Sequence, residues 1–205
     1  INLLQYQRFC DNLDKTSTSW KTEFLLLDEV TKWTFITLEA LQSLKEEYFP
    51  SYIPSKDEIT YVWIDWAKSS DSTVITIINQ NFKILNIFEM QWHLIDQEDF
   101  IVWTLMQYKP KLIFSDETWL GAWSTAYLQR IFGKRKVVWI TFTTNSKHDM
   151  YSNLINYIQN VRYSSLFDQD IISKFETQFS KLVKTYTSTW KLKVNHPEWW
   201  HDDYP

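Results

Sequence analysis

The rhythm of apolar and polar positions changes near residue 59. Before it the chain reads as mainly helical, with candidate helices over 20–30 and 38–48; the second sets Leu38, Leu41 and Leu44 among charged residues. The stretch Phe49-Pro-Ser-Tyr-Ile-Pro-Ser55 then interrupts any helix and reads as a linker. From Ile59 the pattern is that of strands. Residues 59–66, 73–79 and 82–89 are rich in β-branched and aromatic residues and are joined by short polar turns, the mark of an antiparallel meander. Asp96 is placed to cap a helix reaching Tyr108, residues 111–115 form a short apolar strand, and a helix covers 119–132. A fifth strand is predicted over 136–142. Further helices follow, one capped by Ser146 and one over 168–183, then an extended stretch over 185–194 and a last helix opened by Pro197. This order, three strands and then alternating helices and strands, predicts an α/β fold. It has a mixed five-stranded sheet, an antiparallel meander followed by parallel strands, with helices on both faces.

Composition narrows the chemistry. Two glycines in 205 residues, Gly121 and Gly133, exclude both the glycine-rich phosphate loop and the dinucleotide fingerprint, so no nucleotide cofactor is expected on this chain. The single Cys10 can form neither an internal disulfide nor a thiolate cluster. No apolar run reaches the roughly 18 residues of a membrane span. The 12 tryptophans are spread along the chain and read mostly as packing residues. A net charge of −4 argues against a protein that simply coats DNA, and less against one whose carboxylates hold cations. Starting at Ile1 and stopping at Pro205 just past a polar cluster, the chain reads as a piece of a longer protein.

Three acidic positions stand out. Asp65 lies inside Tyr61-Val-Trp-Ile-Asp-Trp66, where strand alternation places it with Tyr61 and Trp63 and opposite Val62 and Ile64. A carboxylate there is either a strand-end aspartate meeting solvent or a backbone amide, or a cation ligand. Asp116 follows an apolar strand and precedes a helix; it can be an ordinary N-cap, yet the carboxyl end of a strand is also where open α/β sheets place functional groups. His201-Asp-Asp203 opens the expected last helix, where acidic residues suit the helix dipole. Together, carboxylates on two neighbouring parallel strands and on one helix can converge on hard cations such as Mg²⁺. The four histidines are scattered, without zinc spacing.

The segment Tyr61-Val-Trp-Ile-Asp65-Trp-Ala-Lys-Ser-Ser-Asp71 resembles the first motif of the nuclease domains of viral, phage-type large terminase subunits. Leu112-Ile-Phe-Ser-Asp116-Glu-Thr-Trp-Leu-Gly121 resembles the second, and Phe142-Thr-Thr-Asn-Ser-Lys147 resembles a strand-turn-helix that carries a basic residue. His201-Asp-Asp203-Tyr-Pro resembles the closing histidine-acid motif, and Trp20-Lys-Thr-Glu-Phe24 is similar to the segment joining a packaging ATPase to the nuclease.

The resemblance covers most of the chain in the family's motif order. It implies a ribonuclease-H-like fold, with residues 1–58 as the helical segment and linker from a preceding ATPase domain and 59–205 as the nuclease domain. It implies an endonuclease that cuts double-stranded viral DNA concatemers during genome packaging, using two Mg²⁺ or Mn²⁺ ions. Asp65 would bridge both ions, and Asp116 and Asp203 would hold one each, with Asp202 as the substitute for Asp203. Asp71, His201 and Glu117 would stand nearby. Lys134, Arg135, Lys136 and Lys147 are candidate phosphate contacts, or solvated surface charges. Implied partners are duplex DNA, the packaging ATPase domain and the portal, with no membrane, in the cytoplasm of the infected host cell. The family's glycines around the first two motifs are replaced here, by Ser69, Ser70, Glu117 and Thr118. Competing expectations are a junction resolvase or transposase of the same fold, a non-catalytic docking module of a packaging motor, and a plain α/β interaction domain.

Overall fold

In the computed structural model, residues 34–50, 53–67, 72–91, 93–116, 119–187 and 191–195 are described. The strands that matter most are β2 (Thr60–Asp65), β3 (Thr73–Asn79), β4 (Ile84–Met90), β5 (Leu112–Asp116) and β6 (Val137–Ile140). They form one mixed sheet in the order β4-β3-β2-β5-β6. The meander β2-β3-β4 is antiparallel, with Thr60 opposite Asn79 and Asp65 opposite Val74, while β2, β5 and β6 run parallel. Asn79 builds the β3–β4 turn: its Oδ1 accepts from the amides of Asn81 and Lys83, both at 3.0 Å, which offsets the left-handed φ of 61° at Phe82.

Two long helices cover one face. Helix α2 (Leu94–Tyr108) connects β4 to β5, and α3 (Trp119–Phe132) connects β5 to β6. Alternation along the strands sends Val62, Ile64, Ile75, Ile77 and Ile113 to this side, where they meet Ile101, Leu105 and Leu128 of the helices. These side chains are essentially solvent-free. Each contributes about 1.5–3 kcal/mol by leaving water. Asp96 sits in the first turn of α2 rather than capping it; the cap position is His93.

The opposite face is covered over β3 and β4 by a second cluster. It gathers Leu41 and Leu44, Ile84, Tyr163, Phe167 and Ile172 from α1 (Leu38–Gln42), the two-residue strands β1 (Lys45–Glu46) and β7 (Tyr163–Ser164), and α5 (Gln169–Lys181). The helix expected over 38–48 therefore ends at Gln42. Lys45 and Glu46 leave helical geometry to pair in parallel with Tyr163 and Ser164, which buries Leu44 and the Tyr163 ring. At the edge of this cluster the half-buried Glu176 of α5 takes a hydrogen bond from Gln42 at 3.1 Å, another from the Tyr163 hydroxyl at 2.9 Å, and an ion pair from Lys45 at 2.5 Å. Burial and the neighbouring Glu176 carboxylate push the Tyr163 hydroxyl up, so it stays a donor.

Helix α4 (Thr144–Tyr157) starts at a reciprocal cap in which Thr143, not Ser146, is the N-cap and Ser146 returns the bond. The stretch read as simply extended over 185–194 is a hairpin, β8 (Val183–Tyr186) against β9 (Leu192–Asn195). Leu192 and Val194 pack with Phe35 and with Tyr151 and Leu154 of α4. The helices expected over 20–30 and after Pro197 lie outside the described residues.

Candidate metal centre

Two of the predicted carboxylates end adjacent strands. The β2–β5 register pairs Tyr61 with Leu112, Trp63 with Phe114 and Ile64 with Ser115, and one step further it sets Asp65 beside Asp116. Paired residues in a parallel ladder project to the same side. The Trp63 and Phe114 rings confirm the side, stacking with centroids 6.2 Å apart and planes 25° apart. Both aspartates therefore leave the sheet on the face opposite α2 and α3, at the carboxyl ends of two parallel strands. Asp65 is half-buried, and Asp116 is only 2% exposed.

Asp116 is fixed by the residue after Asp65. The Trp66 amide donates to Asp116 Oδ1 at 3.4 Å, and the Trp66 indole Nε1 donates to Ser115 Oγ at 2.9 Å. Ser115 in turn bonds to Thr125 of α3. Trp66 thus ties the end of β2 to the end of β5 by backbone and ring at once. A buried indole that spends its donor on a serine hydroxyl lacks any periodic sequence signal, so Trp66, Ser115 and Thr125 were not foreseen. The β2–β3 turn is closed by the Ala67 amide, which donates to Thr73 Oγ1 at 3.1 Å.

A third carboxylate shares the row. Val74 lies opposite both Asp65 and Glu89, so Glu89 stands on the same face two strands away, about 10 Å by strand spacing. It accepts from Ser72 Oγ at 2.6 Å and pairs with Lys174 of α5 at 2.8 Å. Its partners make it a tether between the sheet and α5. Among the described residues no group of three or more metal-ligating side chains assembles. Asp71, Glu117, His201, Asp202 and Asp203 lie outside them.

The basic candidates separate. Lys147 stands one turn into α4, which begins just past the carboxyl end of β6, the same end of the sheet as the aspartates. Its Nζ lies 5.5 Å from the centre of the Phe142 ring, and Phe142 lies 6.0 Å from Trp63. Gly133-Lys-Arg-Lys136 forms the turn that enters β6 at its amino end, about 13 Å from Ile140, the partner of Asp116. That turn and the aspartates occupy opposite ends of the sheet.

The donor pair suits a hard divalent cation, since both members are carboxylates carried at the ends of paired strands.

No family sequence model matches the chain, and no curated protein sequence matches it. Its fold, however, is shared. The mixed sheet with helices on both faces is a ribonuclease-H-like α/β arrangement. More narrowly, it is the fold of phage large-terminase nuclease domains. The large terminase nuclease from thermophilic phage G20c with bound magnesium superimposes with a TM-score of 0.61 at 15% identity, covering 83% of this chain and 92% of that one. The nuclease domain of the large terminase subunit gp2 of bacterial virus Sf6 gives 0.55 at 8% identity, covering 79% and 87%. A mutant form of the Sf6 domain with manganese gives 0.55 at 9% identity, covering 79% and 88%.

Proposed function

We propose that this chain is the nuclease domain of a phage-type large terminase, a divalent-metal-dependent endonuclease acting on double-stranded DNA. The observation that carries the reading is the placement of Asp65 and Asp116 side by side at the carboxyl ends of adjacent parallel strands, in a sheet of terminase-nuclease order. Surrounding structure supports a preorganised site: Trp66 holds Asp116, and Trp63 with Phe114 stiffens the strands beneath.

Asp65 and Asp116, with Asp203 or Asp202 as a third group, would hold two Mg²⁺ or Mn²⁺ ions. Such ions would supply the Lewis acidity that phosphodiester hydrolysis by water requires. The chain's own task is electrostatic and positional. Rigid strand ends fix the carboxylates, and the exposed Lys147 offers a cation to a backbone phosphate at the same end of the sheet. Asp71, Glu117 and His201 would, by the same resemblance, serve as neighbouring groups of this centre. A phosphate contact by Lys134, Arg135 or Lys136 would engage a different stretch of DNA from the one at the aspartates, given their separation along the sheet. On this reading residues 1–58 join the nuclease to a packaging ATPase domain, the portal is a docking partner, and the substrate is concatemeric viral DNA in the host cytoplasm. No helix among the described residues is long and apolar enough to cross a membrane.

Supercoiled plasmid incubated with Mg²⁺ or Mn²⁺ tests the reading. The expected outcome is metal-dependent nicking and linearisation by the chain, lost in Asp65→Asn with the fold retained. Cleavage that survives Asp65→Asn overturns the site. Absence of cleavage by either protein, including a version extended past Pro205, favours a docking module.

A further inference from the structure

The outer surface of α2 and α3 carries an apolar seam: its partly buried Val102 and Tyr127 pack against the core, while its exposed side chains lie outside both the core and the metal centre. Glu98 of α2 accepts a hydrogen bond from Ser124 of α3 at 2.7 Å, which identifies the sides on which the two helices adjoin. Ile95, Val102 and Met106 lie on that side of α2, and Trp123, Tyr127 and Ile131 follow at four-residue steps along α3. Trp123 is 74% exposed, Ile95 72% and Met106 53%. An indole this open next to further open aliphatic side chains is the signature of a contact surface.

The ends of the seam differ in charge. Both helices run from the carboxyl end of one strand to the amino end of the next, so they are parallel to each other. Asp96 and Asp99 flank the seam where α2 begins, near the strands' carboxyl ends. Arg130, Lys134 and Lys109 flank the other end, all exposed, and the Arg130 guanidinium lies 5.4 Å from the centre of the Tyr127 ring. The basic Gly133-Lys-Arg-Lys136 turn, remote from the aspartates, belongs to this end.

We propose that the seam is a self-association surface on which a second copy of this chain docks antiparallel about a two-fold axis normal to the helices. Such an interface is isologous, and it lays the acidic end of each seam on the basic end of the other. A parallel arrangement would set like charges together. Helices of 15 and 14 residues give the seam a length of about 20 Å. Asp65 and Asp116 leave the other face of the sheet, so both metal centres remain on the outside of the pair.

Sedimentation velocity on the whole chain at low salt, from roughly 1 to 100 µM, tests this over the affinities that modest interfaces reach. A dimer is expected, weakened about tenfold or more by Trp123→Glu and by raised salt. Reversing one end, with Asp96→Lys and Asp99→Lys, gives a monomer, as does Arg130→Glu with Lys134→Glu; an equimolar mixture of the two restores the dimer. Circular dichroism shows that each variant is folded. A wild-type chain that stays monomeric over that range overturns the proposal, as does a dimer that survives Trp123→Glu or a mixture that stays monomeric. This inference is independent of whether the chain cuts DNA, because its readout is mass alone.

Discussion

The two faces of the central sheet are made by the same strands and obey opposite rules. On the α2–α3 side, Val62, Ile64, Ile75, Ile77 and Ile113 are at most 1% exposed and cluster with Ile101, Leu105 and Leu128 of the helices. On the other side the alternate residues of β2 and β5 are Tyr61, Trp63 and Asp65, and Leu112, Phe114 and Asp116. One face spends its residues on hydrophobic burial; the other holds two carboxylates at its rim, above a stack of aromatic rings. A single step of alternation separates a core residue from a candidate ligand, so a one-residue slip in register would exchange them. The close-packed face fixes the register, and the register sets the geometry of the carboxylates.

The largest effect should come from breaking the second face alone. Asp65→Asn or Asp116→Asn is expected to lower metal-dependent plasmid cleavage by at least about a hundredfold, the scale of losing one electrostatic stabiliser. Thermal unfolding should show that both variants remain folded. Breaking the first face should do the reverse to the fold: Ile64→Ala or Ile113→Ala is expected to cost about 2–5 kcal/mol in urea unfolding. The Trp66–Ser115–Thr125 link lies on the first face and ties it to the strand end that carries Asp116. Ser115→Ala leaves a buried indole N–H without its acceptor and is expected to cost about 1–3 kcal/mol.

A pH experiment sharpens the comparison with the second cluster, beside which the half-buried Glu176 is held ionised by its neighbours. Burial acts to raise the Glu176 carboxyl, but Lys45, Gln42 and Tyr163 outweigh it and hold the group below the usual value of 4.5. The group is more acidic folded than unfolded, so its contribution is complete above that ordinary value and is lost as pH falls through the lower, folded one. Glu176→Gln should therefore lower stability at pH 7 and flatten its decline below about pH 4.5, read by unfolding curves at several pH values. The smallest effect is expected at the α4 cap, where Thr143→Ala should cost about 1 kcal/mol.

Elements with strong local patterns are legible in the sequence alone. The strand over 73–79 and the helix over 119–132 occur with the boundaries expected, because an unbroken β-branched run and a long apolar periodicity leave little choice of structure. Asp65 was legible for a related reason: alternation in a short apolar strand gives a carboxylate only two sides to choose from. The pairing of Lys45–Glu46 with Tyr163–Ser164 was not legible. It joins residues more than a hundred positions apart and lasts two residues, too short to imprint a period. The hairpin at 183–195 was seen only as extended chain, since its turn carries no glycine or proline signal. The basic turn at 133–136 was legible as a cluster of charge, but sequence does not show which end of the sheet receives it.

What the sequence determined by itself was local and binary: which residues alternate, where strands end and which strand ends carry acid. The tertiary structure decided which ends meet. Only the pairing of β2 with β5 sets Asp65 beside Asp116, and only the connections through α2 and α3 carry the Lys134 turn to the far end of the sheet. Such pairings rest on contacts between segments about fifty residues apart, whose stabilisation comes from a shared core and is not contained in any window of the chain.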